Sequence, residues 1–169
     1  MFPFPVQAGT NYQIVVYPGP GGIDHVLLSL LQGAIPDNDV FTHAALIEGT
    51  NLTIHTTNTF AGVDPNEPLH FQNADRKTVW WSWTAPFSGL VDFDVTGTGP
   101  YGVVAYTGSL LTTLQKVGQN PVGPSFHTNM RVTEGVTYLF AADGLDGNYG
   151  EFDFHLKLFP TPTNDLFAN

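Results

Sequence analysis

Residues 77–97, KTVWWSWTAPFSGLVDFDVTG, hold all three tryptophans of the chain and constrain its fold more than any other stretch. Successive side chains of a strand point to opposite faces. Val79, Trp81 and Trp83 therefore share one face, and Trp80 and Ser82 the other. Pro86 and Gly89 mark a turn, one lacking a donor and the other having a permissive backbone. Beyond it Val91, Phe93 and Val95 alternate with Asp92 and Asp94, an inside/outside pattern. The stretch reads as two strands joined by a tight turn, a tryptophan hairpin. A buried tryptophan removes about 150–250 Å² from water, so the core is expected around Trp81 and Trp83. Trp80, on the opposite face, is the one placed to serve as an aromatic platform for a sugar or peptide.

The remaining residues fit a β protein. The 169 residues include 18 Gly, 13 Pro and 13 Phe, and long helix-forming runs are absent. Such a composition favours short strands and many turns. The length suits one domain with an appendage and allows a real core. Asp and Glu number 15 against 5 Lys and Arg, a formal charge of −10. That surface repels phosphate backbones and anionic lipid, which argues against nucleic-acid partners and membrane binding. No apolar run reaches the roughly 20 residues of a spanning helix. The absence of cysteine removes disulfides, thiolate metal sites and cysteine nucleophiles. The opening Met1-Phe-Pro-Phe-Pro5 has neither the basic start nor the apolar stretch of a signal peptide. Export would then be signalled on a longer precursor, or the chain is a fragment.

An internal repeat sets the domain organisation. Residues 1–43 align without a gap on 127–169. Val6 pairs with Val132, Gly9 with Gly135, Tyr12 with Tyr138, Gly21 with Gly147 and Leu30 with Leu156. Pro36, Asn38, Asp39 and Phe41 pair with Pro162, Asn164, Asp165 and Phe167. The identities fall on turn glycines, core positions and an Asn-Asp-x-Phe tetrad. The chain thus divides into three segments: 1–36, the closing hairpin of a preceding unit; 37–161, one complete unit; and 162–169, the start of the next unit or a linker. In the partial copy, strands are expected at 11–17 and 24–31 around Pro18-Gly-Pro-Gly-Gly22. The complete unit reads as a short apolar stretch at 44–47 and a polar strand at 51–57. A long loop at 58–76 comes before the tryptophan hairpin. Further strands are expected at 102–107, 125–132, 136–142 and 151–159, with at most one helical turn at 109–114. The expected fold is all-β: a jelly-roll-like antiparallel β-sandwich with an extra N-terminal β-hairpin.

Several motifs occur in a telling order. They are Asn38-Asp-x-Phe41, Glu67-Pro-x-His70, Val79-Trp-Trp-Ser-Trp-Thr-Ala-Pro86, Ser88-Gly89 with Asp92, Ala105-Tyr-Thr-Gly108 and Ala142-Asp-Gly144. Across 38–158 the chain resembles the bacterial pre-peptidase C-terminal-type β-sandwich repeats of large exported and cell-surface proteins. The resemblance implies a jelly-roll-like sandwich, an extracellular or cell-surface location and tandem arrangement, and it implies no catalytic residues. It departs at Pro100-Tyr-Gly102, where that family often carries an Asp.

No catalytic or nucleotide motif stands up. Gly97-Thr-Gly-Pro-Tyr-Gly102 fits the dinucleotide pattern by letter, but a strand comes next where the pyrophosphate needs a helix N-terminus. Six histidines are scattered with no metal-protease spacing. His70, near Glu67, is expected to be a loop histidine satisfied by hydrogen bonds. Asp64, Asn66 and Glu67 place oxygen ligands on one loop, and Asp39 recurs at the unit boundary. Calcium takes 6–8 such ligands and tolerates irregular geometry, so Ca²⁺ is the one cofactor named, opposed by the plain alternative of a solvated acidic loop.

These observations favour a non-catalytic structural module that assembles head to tail with copies of itself into a surface fibre, stalk or adhesin. Its expected interface is the apolar face of the N-terminal hairpin: Ile14, Val16, Val26, Leu28 and Leu30. The alternative is a binding module for carbohydrate or matrix protein, calcium-assisted, using Trp80.

Overall fold

Period-two alternation recurs along the chain, and in a computed structural model it resolves into nine strands among the described residues. The structure describes residues 4, 6–16, 28–71, 76–120 and 128–161. Two units emerge, Met1–Gly33 and Ala34–Asn169.

The second unit is a β-sandwich. Its strands are β1 (Ala45–Ile47), β2 (Asn51–Thr57), β3 (Val79–Thr84), β4 (Gly89–Gly97), β5 (Tyr101–Thr107), β6 (Gln115–Asn120), β7 (Thr128–Val132), β8 (Thr137–Gly144) and β9 (Glu151–Pro160). One sheet runs β1-β3-β8-β5-β6 and the other β2-β9-β4-β7. The pairs are antiparallel except β1 with β3, which run parallel. The all-β sandwich expected from the sequence is present, and β6 is a strand that the sequence pattern does not announce. Among the described residues the helical content is three short 3-10 turns, one of them at Leu111–Thr113 within the stretch read as a single turn.

The tryptophan hairpin requires correction. β3 and β4 belong to different sheets, so residues 85–88 carry the chain across the sandwich. A hairpin would have put both apolar faces on one side of one sheet, still needing cover. Crossing over makes each face the cover of the other. Trp81, Trp83, Val91, Phe93 and Val95 accordingly share one buried cluster. Trp81 stacks on Phe154 of β9 at 4.8 Å and 11° between ring planes, bridging the sheets. The Trp83 indole donates to the Gly49 carbonyl at 2.9 Å. Gly89 is fixed by close approach: a Cβ there would collide with the Phe159 carbonyl of β9.

The first unit repeats local geometry of the second. Gly9 and Gly135 both have positive φ, 78° and 75°. Thr10 N–H donates to the Gln7 carbonyl, as Val136 N–H does to Thr133. The Tyr12 hydroxyl accepts from Gln7 N–H at 2.7 Å, and the Tyr138 hydroxyl from Thr133 N–H at 3.0 Å. The expected hairpin of this unit is a second correction. Residues 11–16 and 28–31 form no strand; Val26 and the intervening turn lie outside the described residues. The repeat supplies the reason. Residues 11–16 correspond to β8 and 25–34 to β9, which sit in opposite sheets and never pair with each other. Their in-sheet neighbours β2, β3, β4 and β5 have no counterpart in residues 1–33, and unpaired strands are marginal in water.

Candidate functional site

The most developed polar cluster lies on the outer face of the five-stranded sheet, under the loop that links β2 to β3. Trp80, Val104, Tyr106, Leu139 and Ala141 form a second apolar cluster there, with Phe41, Ala44 and Phe71 packed against it. Alternation puts Trp80 on this face correctly, but the ring is fully buried. Phe41 meets it edge-on at 5.2 Å and His70 at 5.4 Å. It offers no open face to a sugar, which corrects the platform expectation. Asn38 clamps this strand from both directions: its side chain donates to the Trp80 carbonyl at 3.0 Å, and its own carbonyl accepts the Trp80 N–H at 2.9 Å.

Glu67 anchors the loop from inside. Its carboxylate accepts from the Thr78 hydroxyl at 2.6 Å, His70 Nε2 at 3.0 Å and the Asp64 N–H at 3.0 Å. With the His70 proton on Nε2, Nδ1 accepts from the Tyr106 hydroxyl at 2.8 Å. His70 is thus satisfied at both ring nitrogens. Arg76 donates to the carbonyls of Glu67 and Pro68 at 2.7 and 2.9 Å. Burial alone would raise the Glu67 carboxyl; hydrogen bonds from His70, Thr78 and the Asp64 N–H outweigh it and hold the group below its ordinary value. Burial, reinforced by the Glu67 charge, pushes the Tyr106 hydroxyl up to about 12, so it stays a proton donor. Asp143, in β8, accepts the Lys77 N–H at 2.8 Å and is pushed up to about 6, chiefly by burial. Its second oxygen finds no hydrogen-bond partner among the described residues. Tyr106 and Asp143 fall within the Ala105-Tyr-Thr-Gly108 and Ala142-Asp-Gly144 motifs, whose order is legible in the sequence though their role is not. The arrangement holds charge in a closed interior.

The four residues expected to ligate calcium separate into three settings. Glu67 is committed inside. Asp39 accepts the Gly62 N–H and Asp64 the Phe41 N–H, each at 2.6 Å, tying residues 39–41 to the loop. Asn66 sits exposed at a turn with φ 69°. Burial raises the Asp39 carboxyl, the Gly62 N–H opposes this, and the charges of Asp64 and Glu67 raise it further. Asp39 and Asp64 fit the carboxylate chemistry calcium selects; Glu67 does not. Among the described residues no group of three or more His, Cys, Asp or Glu is placed to hold a metal.

A second feature lies on the solvent face of the four-stranded sheet. Asn51, Lys157 and Asp92 stand side by side across three strands, and Thr53, His155 and Asp94 form the next row. His155 bonds Thr53 through Nδ1 at 3.1 Å and Thr96 through Nε2 at 2.9 Å. These side chains line an open cavity of about 390 Å³. Sequence reasoning treats Asp92 and Asp94 only as outward residues, because their cross-strand partners lie about 60 positions away.

Of the expected interface residues, Ile14, Val16, Leu28 and Leu30 are all exposed. No protein-family model matches the chain, and no curated protein matches it significantly.

Proposed function

We propose that this chain is a non-catalytic structural repeat of a bacterial extracellular or cell-surface fibre, assembling head to tail with copies of itself. One observation carries the reading. Residues 11–16 and 28–31 correspond to the two central strands β8 and β9, yet Ile14, Val16, Leu28 and Leu30 are 45–70% exposed. Their counterparts Phe140, Ala142, Phe154 and Leu156 are at most 1% exposed. Apolar sequence built for a sandwich interior, left in water, seeks cover. The contact joins different patches on its two partners, so it propagates rather than closes. The motif resemblance agrees with a tandem, exported module. Light scattering and electron microscopy over a concentration series test the reading: regular polymers are expected, and a monodisperse monomer at high concentration overturns it.

A second reading, a carbohydrate- or matrix-binding module, is favoured by the open cavity around His155 and Asp94 rather than by Trp80. Calcium belongs to this reading through Asp39 and Asp64. Screening the chain against immobilised glycans and collagen separates the two.

A further inference from the structure

We infer that the surface completing the head-to-tail contact is the free edge of β2, and that a second copy of this chain adds its residues 11–16 there as an extra strand. The inference rests on the assembly reading and names its acceptor.

Four strands end the two sheets: β1 and β6 in one, β2 and β7 in the other. Natural edges are blunted by shortness, charge or bulges. β1 has three residues. β6 carries Lys116, and its pairing with β5 shifts register between Ala105 and Tyr106. β7 carries Arg131. β2, Asn-Leu-Thr-Ile-His-Thr-Thr, has seven residues, no Asp, Glu, Lys, Arg or Pro, and no register shift against β9. Among the described residues it is the unprotected edge.

Its backbone is oriented for pairing. Leu158 N–H donates to the Thr50 carbonyl. Bonded and non-bonded pairs alternate in an antiparallel ladder. Leu52 and Ile54 therefore turn their N–H and C=O groups to β9, and Asn51, Thr53 and His55 turn theirs outward.

The core is also unfinished on this side. Ala45 and Ile47 of β1 and Leu52 and Ile54 of β2 pack on the core but are only partly buried. Phe93 and Phe154, on the inner strands of the same sheet as β2, are fully buried. An apolar seam runs between the two edges.

Residues 11–16, Asn-Tyr-Gln-Ile-Val-Val, suit this seam. Six residues span all but one position of the seven-residue β2 and carry no charge. At a net charge of −10 two copies repel, and an uncharged strand against an uncharged edge is where they can meet. Ile14 and Val16 would enter the seam, and Val15 would face out beside Thr53 and His55. Main-chain bonds supply affinity in such additions, and alternate side chains supply specificity. A single copy leaves Ile14, Val15 and Val16 exposed, which points to a second copy as the occupant.

The chain has no cysteine, so engineered pairs report cleanly. Val15→Cys combined with Thr53→Cys, or with His55→Cys, should give a ladder of disulfide-linked oligomers on a non-reducing gel after oxidation. His55→Pro removes an outward N–H and spares the bonds to β9, as proline at an edge can. It should abolish polymers while its melting temperature stays within a few degrees of the parent. Polymers that persist in His55→Pro, with neither pair cross-linking, overturn the β2 acceptor but leave head-to-tail assembly standing. A cross-link confined within one chain overturns the second copy as occupant. The absence of polymers in the unmodified chain overturns both readings.

Discussion

At position 143 a carboxyl group is fully buried, with one oxygen bonded to the Lys77 N–H. Its folded value of about 6 stands above the ordinary 3.8. Between those values the unfolded chain has lost the proton and the folded chain keeps it. The contribution of Asp143 to stability is therefore full below pH 3.8 and declines as pH rises to about 6, by on the order of 3 kcal/mol for a shift of this size. Glu67 acts in the opposite sense: its lowered value makes stability fall only as pH drops below the ordinary 4.5. Urea melts at pH 4, 5, 6 and 7 should show the decline, and Asp143→Asn should flatten it. Parallel curves for parent and variant would refute the assignment. Trp81 gives the packing counterpart. It is 2% exposed and stacked on Phe154, so Trp81→Ala should cost about 3–5 kcal/mol; a melt within a few degrees of the parent would contradict this. Trp81 is legible in the sequence because alternation alone assigns it to the core. Trp80 is not, because alternation gives only the opposite face. Phe41 and His70 cover that face, and both come from segments outside its strand.

At the scale of elements, strand positions are readable in the sequence and strand partners are not. Val91, Phe93 and Val95 announce β4 by period. A turn of four residues says only that the chain reverses; whether it stays in one sheet depends on what each apolar face meets. β6 escapes sequence reading because Gln-Lys-Val-Gly-Gln-Asn carries one apolar side chain and a glycine, while its place beside β5 is fixed by the backbone ladder. The 58–76 loop is recognisable from its prolines and polar residues. Its inward clasp through Glu67 and His70 depends on Thr78 and Tyr106, which lie outside the loop. The same loop bears on calcium. Asp39 and Asp64 tie it to residues 39–41, with like charges crowding Asp39. A cation bound there would raise the melting temperature by mass action. Melts in millimolar calcium and in EDTA decide this: a rise abolished in Asp39→Asn places the ion at these carboxylates, and superimposed curves remove calcium from the account.

For the molecule as a whole, the decisive feature is a division into a β-sandwich unit and a short unit, Met1–Gly33, that shares its turn geometry. The turn at Gly9 already has the conformation of the turn at Gly135, down to the tyrosine hydroxyl that accepts a backbone N–H. Past the turn the two copies part. β8 lies between β3 and β5, and β9 between β2 and β4, whereas the equivalent segments have no such neighbours among the described residues of their own unit. The aromatic core of the sandwich is built from residues of its own unit. Deleting residues 1–36 should therefore leave a cooperative fold with a melting temperature within a few degrees of the full chain, and it should abolish assembly. Adding a synthetic peptide of residues 6–35 to the truncated protein supplies the converse: the peptide should bind, and the complex should remain a single sandwich with one peptide, because the link that carries the contact to the next copy is cut. Polymers formed by the truncated protein would place the assembly surface elsewhere on the sandwich. Loss of cooperative melting would show that the partial repeat belongs to the fold rather than to the contact between copies.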